Sequence, residues 1–264
     1  MTVQGSSVAG LKQRVGAIHM HSDYSHDGLD PLETMRDMCL ARGIDFVGLT
    51  DHAEDFVPEL FDEYLQHCAA VSDERIQFIP GLEFRFSGLR GVHLLAFGLR
   101  QWIAPRTLSE FFEQTRDTAS FTAVAHPILA RYDVPQVVLN QIDGVEVWNA
   151  SYNTRYLPDP RAMRLFHSVQ RVRPDVVAIA GLDQHDGSND REVRVRVQSS
   201  IEDPLKALKA GEFTNTGRGM QFDSRVTLSP TQMHWLTTKR WAFDLMEQTQ
   251  ARLVRALRGP SPRR

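Results

Sequence analysis

His19 and His21 stand two residues apart at the end of an apolar run, VGAIHM over residues 15–20, and are followed at once by small and acidic residues, SDYSHDG over 22–28. A strand alternates its faces with period two, so a strand ending here turns both imidazoles to one side. Similar residue types recur downstream as Asp51-His52, Glu83, His93, His126, Asp183 and His185. Neutral imidazoles and carboxylates together suit Zn²⁺, Mn²⁺ or Fe²⁺. The ligands are too many for one ion, so the expectation is a cluster of two or three. Six of the ten histidines fall in these positions; His26, His67, His167 and His234 do not, although His26 sits beside Asp27. Only two cysteines are present, Cys39 and Cys68, both read as buried small hydrophobes. A closed structural zinc site and a disulfide scaffold are therefore not expected.

Seven β-rich runs supply the frame: residues 15–20, 44–50, 76–82, 92–98, 121–125, 143–148 and 176–181. Helical patterns fall between most of them, near 59–74, 107–119, 134–140 and 160–172. A first helix is expected with Asp30 as N-cap, Pro31 in its first turn, Leu32, Met35 and Cys39 on one face, and Arg42-Gly43 as its stop. Alternation of this kind predicts parallel strands joined by crossover helices, as a barrel or a doubly wound sheet. His19, His21, Asp51, His52, Glu83, His126, Asp183 and His185 all then follow strands, at the rim where ligands gather in α/β folds. His93 starts its strand, and only a tightly curved hairpin after Glu83 would bring it there. Past residue 190 the pattern changes to a strand near 192–198, a helix from Asp203-Pro204 to Gly211 and a last helix near 229–258.

At 264 residues, 42% hydrophobic and net charge −3, the chain is an ordinary globular sequence. A single domain over 1–264 is expected, with its core at about 15–190, an appendage at about 191–258 packed on it and a tail at 259–264. No run is long and apolar enough for a membrane span, and the start MTVQGSSVAGLKQR lacks the apolar core of a signal peptide, so a cytoplasmic protein is expected. The mild acidity argues against a long nucleic-acid partner. Arg252, Arg255 and Arg258 read as a solvated helix face before a frayed tail.

Taken together, HMHSDYSHDG (19–28), GLTDH (48–52), GLEF (81–84), HLLA (93–96), AHP (125–127) and GLDQH (181–185) resemble the PHP family, named for polymerase and histidinol phosphatase. The match covers roughly residues 15–190, in the family's order. The resemblance implies a distorted (β/α)7 barrel, here with a small C-terminal α/β appendage, and a trinuclear site. Carried over by position, His19, His21, Glu83 and Asp183 would hold one metal; Glu83 as a bridge with His93 and His126 a second; Asp27, His52 and His185 a third. Two positions depart from the usual pattern. The first loop has His26-Asp27 where many relatives have a single Asp, with Asp27 preferred as the ligand. Leu182 stands where Ser is common, which removes a hydroxyl without touching Asp183 or His185.

Such a centre predicts hydrolysis of a small phosphomonoester of nucleotide, sugar or histidinol phosphate type, by attack of a metal-bridging hydroxide, with Asp183, His52 and Glu83 central to catalysis. Asp51 and Asp186 are candidates to orient ligating histidines. No Lys occurs between residues 13 and 205, so phosphate contacts fall to arginines: Arg85, Arg131 and Arg155, with Asn149 and Tyr152 beside them and Trp148 as core or stacking surface. Three alternatives stand beside this reading: an exonuclease or oligonucleotide phosphodiesterase on the same site, which an arginine-lined groove would favour; an amidohydrolase, whose bridging carboxylated lysine has no counterpart here; and a non-enzymatic metal-binding barrel.

Overall fold

The computed structural model describes residues 13–188, 191–198 and 203–258, without the side chains of 247, 248 and 250–258. The polar start 1–12, the tail and the side chains of Arg252, Arg255 and Arg258 lie outside the described residues.

The chain runs through β1 (Gln13–Met20), α1 (Leu32–Ala41), β2 (Phe46–Leu49), β3 (Asp51–His52), α2 (Pro58–Val71), β4 (Gln77–Ile79), β5 (Gly81–Arg85) and β6 (His93–Phe97). It continues through α3 (Leu108–Thr118), β7 (Phe121–Ala125), α4 (Gln136–Leu139), β8 (Gly144–Asn149), α5 (Pro160–Gln170) and β9 (Val177–Gly181). Then come β10 (Arg194–Gln198), α6 (Pro204–Ala210), β11 (Phe213–Thr216), β12 (Gln221–Asp223) and α7 (Pro230–Arg258). The helices form for local reasons. In α2, Pro58 sits in the first turn, and Phe61, Tyr64, Cys68 and Val71 recur at three- and four-residue spacing on the buried face. In α6, the Asp203 carboxylate accepts the Leu205 N–H and Gly211 closes the helix at φ +71°. At α1 the expected cap is otherwise engaged: Asp30 accepts the Gly187 N–H at 2.6 Å, tying two rim loops together.

The strands form two six-stranded sheets, ordered β12-β11-β10-β1-β2-β4 and β3-β5-β6-β7-β8-β9. β2 and β3 are one strand interrupted at Thr50, and β4 and β5 one strand interrupted at Pro80, whose missing N–H breaks the ladder. Counted this way, β1, β2–β3, β4–β5, β6, β7, β8 and β9 are the seven strands expected. β9 returns to β1 where the Leu182 N–H donates to Ile18 O (2.9 Å) and Met20 bridges Gln184. One strand departs from the expected parallel order: β6 is antiparallel to both β5 and β7.

Downstream of the ring the sequence shows one strand, whereas the structure has three. β10, β11 and β12 extend the sheet from the N-terminal half of β1, with Val15 opposite Arg196. Their inward residues Val195, Val197 and Phe213 join Phe46, Phe97, Phe121 and Ile179 in one core, each large side chain contributing about 1.5–3 kcal/mol of burial. The chain divides by compactness into a unit ending at Val226 and a second from Thr227 onward, which holds α7. No described helix is long and apolar enough to cross a membrane.

Candidate metal centre

The first two histidines converge, though not by simple alternation. β1 carries a register shift between Ile18 and Met20, and His19 at the shift has φ +60°. Asp183 is also left-handed at φ +51°. Each such residue costs about 1–3 kcal/mol, strain that concentrates at functional sites. The outcome is that His19 Nε2 and His21 Nε2 each lie 3.5 Å from Asp183 Oδ1, and 3.6 and 3.4 Å from Glu83 Oε2.

His93 reaches the rim because β6 is inverted: its first residue pairs with Arg85 at the end of β5 and with Ala125 at the end of β7. His93 Nδ1 and His126 Nε2 both meet Glu83 Oε1, at 2.5 and 3.0 Å. On the other flank, Asp27 Oδ2 is 3.3 Å from both His52 Nε2 and His185 Nε2, and the His185 ring stacks on His21 at 4.1 Å. Three donor sets result: His19, His21, Glu83 and Asp183; Glu83, His93 and His126; and His21, Asp27, His52 and His185.

These sets fit divalent cations. Bonds of about 2.1 Å place neighbouring ligand atoms roughly 3.0–3.4 Å apart in octahedral or tetrahedral geometry, and the first and third sets hold spacings of 3.3–3.6 Å, wider than good hydrogen bonds. His19 Nε2, both His21 nitrogens and His126 Nδ1 are buried with no hydrogen-bond partner. Each such group costs about 1–3 kcal/mol unless something bonds to it, and a cation would.

The first loop turns back on itself at Gly28, where a Cβ would stand 1.8 Å from Ser22 O. Asp51 is the buried post that holds it, accepting from the Ser22 N–H (2.7 Å), the Ser22 hydroxyl and the Ser25 hydroxyl (2.9 Å), while Ser25 Oγ accepts the His52 N–H. Asp51 thus shapes the loop that carries Asp27 and bonds no imidazole among these contacts. Asp186 is an exposed turn carboxylate that accepts the Ser188 N–H. His26 turns away to Asp55 at 2.8 Å and is 56% exposed, so Asp27 is the residue the structure delivers to the rim.

One buried residue escaped the sequence reading. Glu146, in the apolar run GVEVWN of β8, has Oε1 2.9 Å from His19 Nδ1, while Oε2 accepts the His126 N–H (2.6 Å) and an Asn149 amide N–H (2.9 Å). A carboxylate on Nδ1 leaves Nε2 to face Glu83 and Asp183. Gly181 makes the room: a Cβ there would be 2.0 Å from Glu146 Oε1. The available signal was a lone acid within a strand otherwise read as buried. The hydroxyl missing at Leu182 is matched by Ser151, which donates to Asp183 O at 2.6 Å.

Burial opposes charge throughout the cluster, and the local fields decide the balance. At His19 burial is outweighed by Glu146 and Asp183, and at His126 by Glu83, so both imidazoles are raised above their usual range. Against burial, hydrogen bonds from His126 and His93 and the His19 charge hold Glu83 well below the usual carboxylate range, and the His19 and His126 charges do the same for Asp183. His52 and His185 are lowered by burial and by the neighbouring His21.

Of the expected substrate contacts, Arg85 stands over the His52 ring, with Nη2 3.0 Å from Nε2. Arg131 is exposed and Arg155 half-buried. Asn149 is turned inward, donating to Glu146 and Asp183 and accepting the Ser151 and Tyr152 N–H groups. Tyr152 is 41% exposed, 5.2 Å ring to ring from His126. Trp148 is fully buried against Phe222 and donates to Thr154 O, so it belongs to the core. A cleft of about 190 Å³ beside the cluster is lined by Ser151, Asp183, His185 and Arg191.

Residues 17–134 match the model of the PHP domain. Among solved structures the chain is similar to PsfC from Pseudomonas syringae, with TM-score 0.52 and 11% identity over 88% of this chain and 100% of that one. It is also similar to a protein from Bifidobacterium adolescentis described as a metal-dependent phosphoesterase, with TM-score 0.45 and 15% identity over 66% of this chain and 88% of that one. A third is Endonuclease Q in complex with a 27-mer duplex bearing an abasic lesion, with TM-score 0.48 and 18% identity over 79% of this chain and 60% of that one. No curated protein matches the chain.

Proposed function

We propose that this PHP-domain chain is a metal-dependent phosphoesterase in which His19, His21, Asp27, His52, Glu83, His93, His126, Asp183 and His185 hold two or three divalent ions. The observation that carries this reading is the overlap of three donor sets through shared residues: Glu83 belongs to two of them and His21 to two. When bound, such ions supply Lewis-acid activation of water and neutralise charge on a phosphate ester. The protein's part is placement. Glu83 divides its oxygens, Oε2 toward His19 and His21 and Oε1 toward His93 and His126, which keeps two sets in fixed register. Glu146 and Asn149 lock His19, His126 and Asp183 from behind. Arg85 and Arg191 flank the open side, where a guanidinium fork can take phosphate oxygens.

A small phosphomonoester needs no more than this rim and cleft. The test is phosphate release from a panel of phosphomonoesters, nucleotides and short oligonucleotides with Mn²⁺ added, beside Asp183→Ala. Turnover of one substrate class, lowered at least ~10²-fold in the variant, is the expected result; silence across the panel in metal-loaded protein would overturn the reading.

A further inference from the structure

We infer that Tyr152 sets the substrate class: its ring receives a flat aromatic ring on the alcohol of the ester, so phosphomonoesters of ring-bearing alcohols are preferred over those of open-chain aliphatic alcohols. This rests on the phosphoesterase reading and narrows it. Tyr152 is 41% exposed, and its ring lies 5.2 Å from that of His126 with the planes tilted by 60°. The two rings meet at an angle and do not stack in parallel, so aromatic surface stays open beside a donor-set histidine. The loop that carries the ring is held in place. Asn149 Oδ1 accepts the Ser151 and Tyr152 N–H groups at 3.0 and 3.1 Å, while the same side chain donates to Asp183 Oδ2 at 3.2 Å. Ser151 adds its hydroxyl, which donates to Asp183 O at 2.6 Å. A surface ordered before the ligand arrives has less freedom left to lose on binding. A phenol is also uncharged at neutral pH and repels no phosphate.

The order of strands gives the ester a direction. Arg85 at the end of β5 pairs with His93 at the start of β6, and His93 pairs with Ala125 at the end of β7, next to His126. β8, which ends at Asn149 and leads into Tyr152, is the next strand across. The set Glu83, His93 and His126 therefore lies between a guanidinium on one flank and the Tyr152 ring on the other. Phosphate oxygens are drawn to a guanidinium fork and to cations, which leaves the alcohol on the tyrosine flank. Aromatic rings pair at centroid separations of about 4.5–7 Å, so a ring joined to the phosphate directly or by a short arm can reach Tyr152 from this donor set. Leu129, whose N–H closes the turn after His126 at 3.1 Å, is exposed at the same end of β7 and adds apolar surface there. Ligand sites combine such surface with a few fixed polar groups.

The experiment is isothermal titration calorimetry of Mn²⁺-loaded protein with phenylphosphonate and methylphosphonate, whose P–C bonds are not hydrolysed, so that binding is read apart from turnover. Phenylphosphonate is expected to bind wild type about tenfold more tightly. Tyr152→Ala should bring the ratio of the two affinities to about one, and Tyr152→Phe, which keeps the ring, should preserve it. In steady-state assays the preference for phenyl phosphate over glycerol 3-phosphate should shrink in Tyr152→Ala through KM, since stacking acts on bound substrate and transition state alike. Equal affinities in wild type, or a ratio that survives Tyr152→Ala, would overturn the assignment of Tyr152 and leave the phosphoesterase reading intact. Loss of both phosphonates in Tyr152→Ala at unchanged metal content would also overturn it, because the residue would then serve the phosphate and not the alcohol. Binding of neither phosphonate by metal-loaded wild type would overturn both readings. Ring-selective, Tyr152-dependent binding by a wild type that hydrolyses no ester would support the aromatic subsite and remove the reading it was built on.

Discussion

His19 Nδ1 lies 2.9 Å from Glu146 Oε1, both side chains fully buried, so an imidazole on the first strand is oriented by a carboxylate 127 residues away in sequence. The other oxygen of Glu146 accepts the backbone N–H of His126, which couples two donor sets. Glu146→Gln places an amide N–H against donors and should lower metal affinity about 10- to 100-fold. Titration of the metal-free protein with Mn²⁺, followed by electron paramagnetic resonance, reads this directly; unchanged affinity would show that Glu146 only fills space.

Gly181→Ala would put a methyl 2.0 Å from Glu146 Oε1 and 2.9 Å from His19 Cβ. Overpacking of this kind costs about 1–3 kcal/mol. A lower melting temperature together with weakened Mn²⁺ binding is expected, since the displaced atom is the one holding His19. A melting temperature equal to wild type would contradict the packing described.

Asp27 and His26 are adjacent yet face different partners. Asp27→Asn should lower bound metal by about one ion per chain, because ligating carboxylates must be charged, while His26→Ala leaves metal content unchanged. Elemental analysis of both variants separates them, and the reverse pattern would exchange their roles.

Metal uptake should depend on pH through His19 and His126, both raised above the unfolded value of about 6.5. Their contribution to the metal-free fold is fully present below that value and is lost as pH rises through the raised folded pKa. Cations compete with these protons, so affinity should fall on acidification, by about tenfold per pH unit for each proton displaced. Proton release on Mn²⁺ addition in unbuffered solution measures it; no release would contradict the raised imidazoles.

Much of the ring was legible in advance because the signals are local. Asp203, Pro204 and Gly211 mark a helix wherever they stand in that order, and the seven apolar runs between turn residues show the strand positions. β11 and β12 were not legible: FTNT and QFD are short and mixed in polarity, and they form strands because β10 offers β11 a pairing edge and β11 offers one to β12. The inversion of β6 was equally hidden, since parallel and antiparallel neighbours have the same period along the chain.

By its own residues the sequence determined which side chains could ligate metal, because imidazoles and carboxylates at strand ends are a matter of type and spacing. Only the tertiary structure decided that His93 reaches Glu83, that Asp27 faces the rim while His26 turns to Asp55, that Asn149 is committed inward, and that Glu146 joins His19 to His126. Each of these depends on contacts between segments far apart in the chain, and no local propensity encodes the direction in which a buried side chain finds its partner.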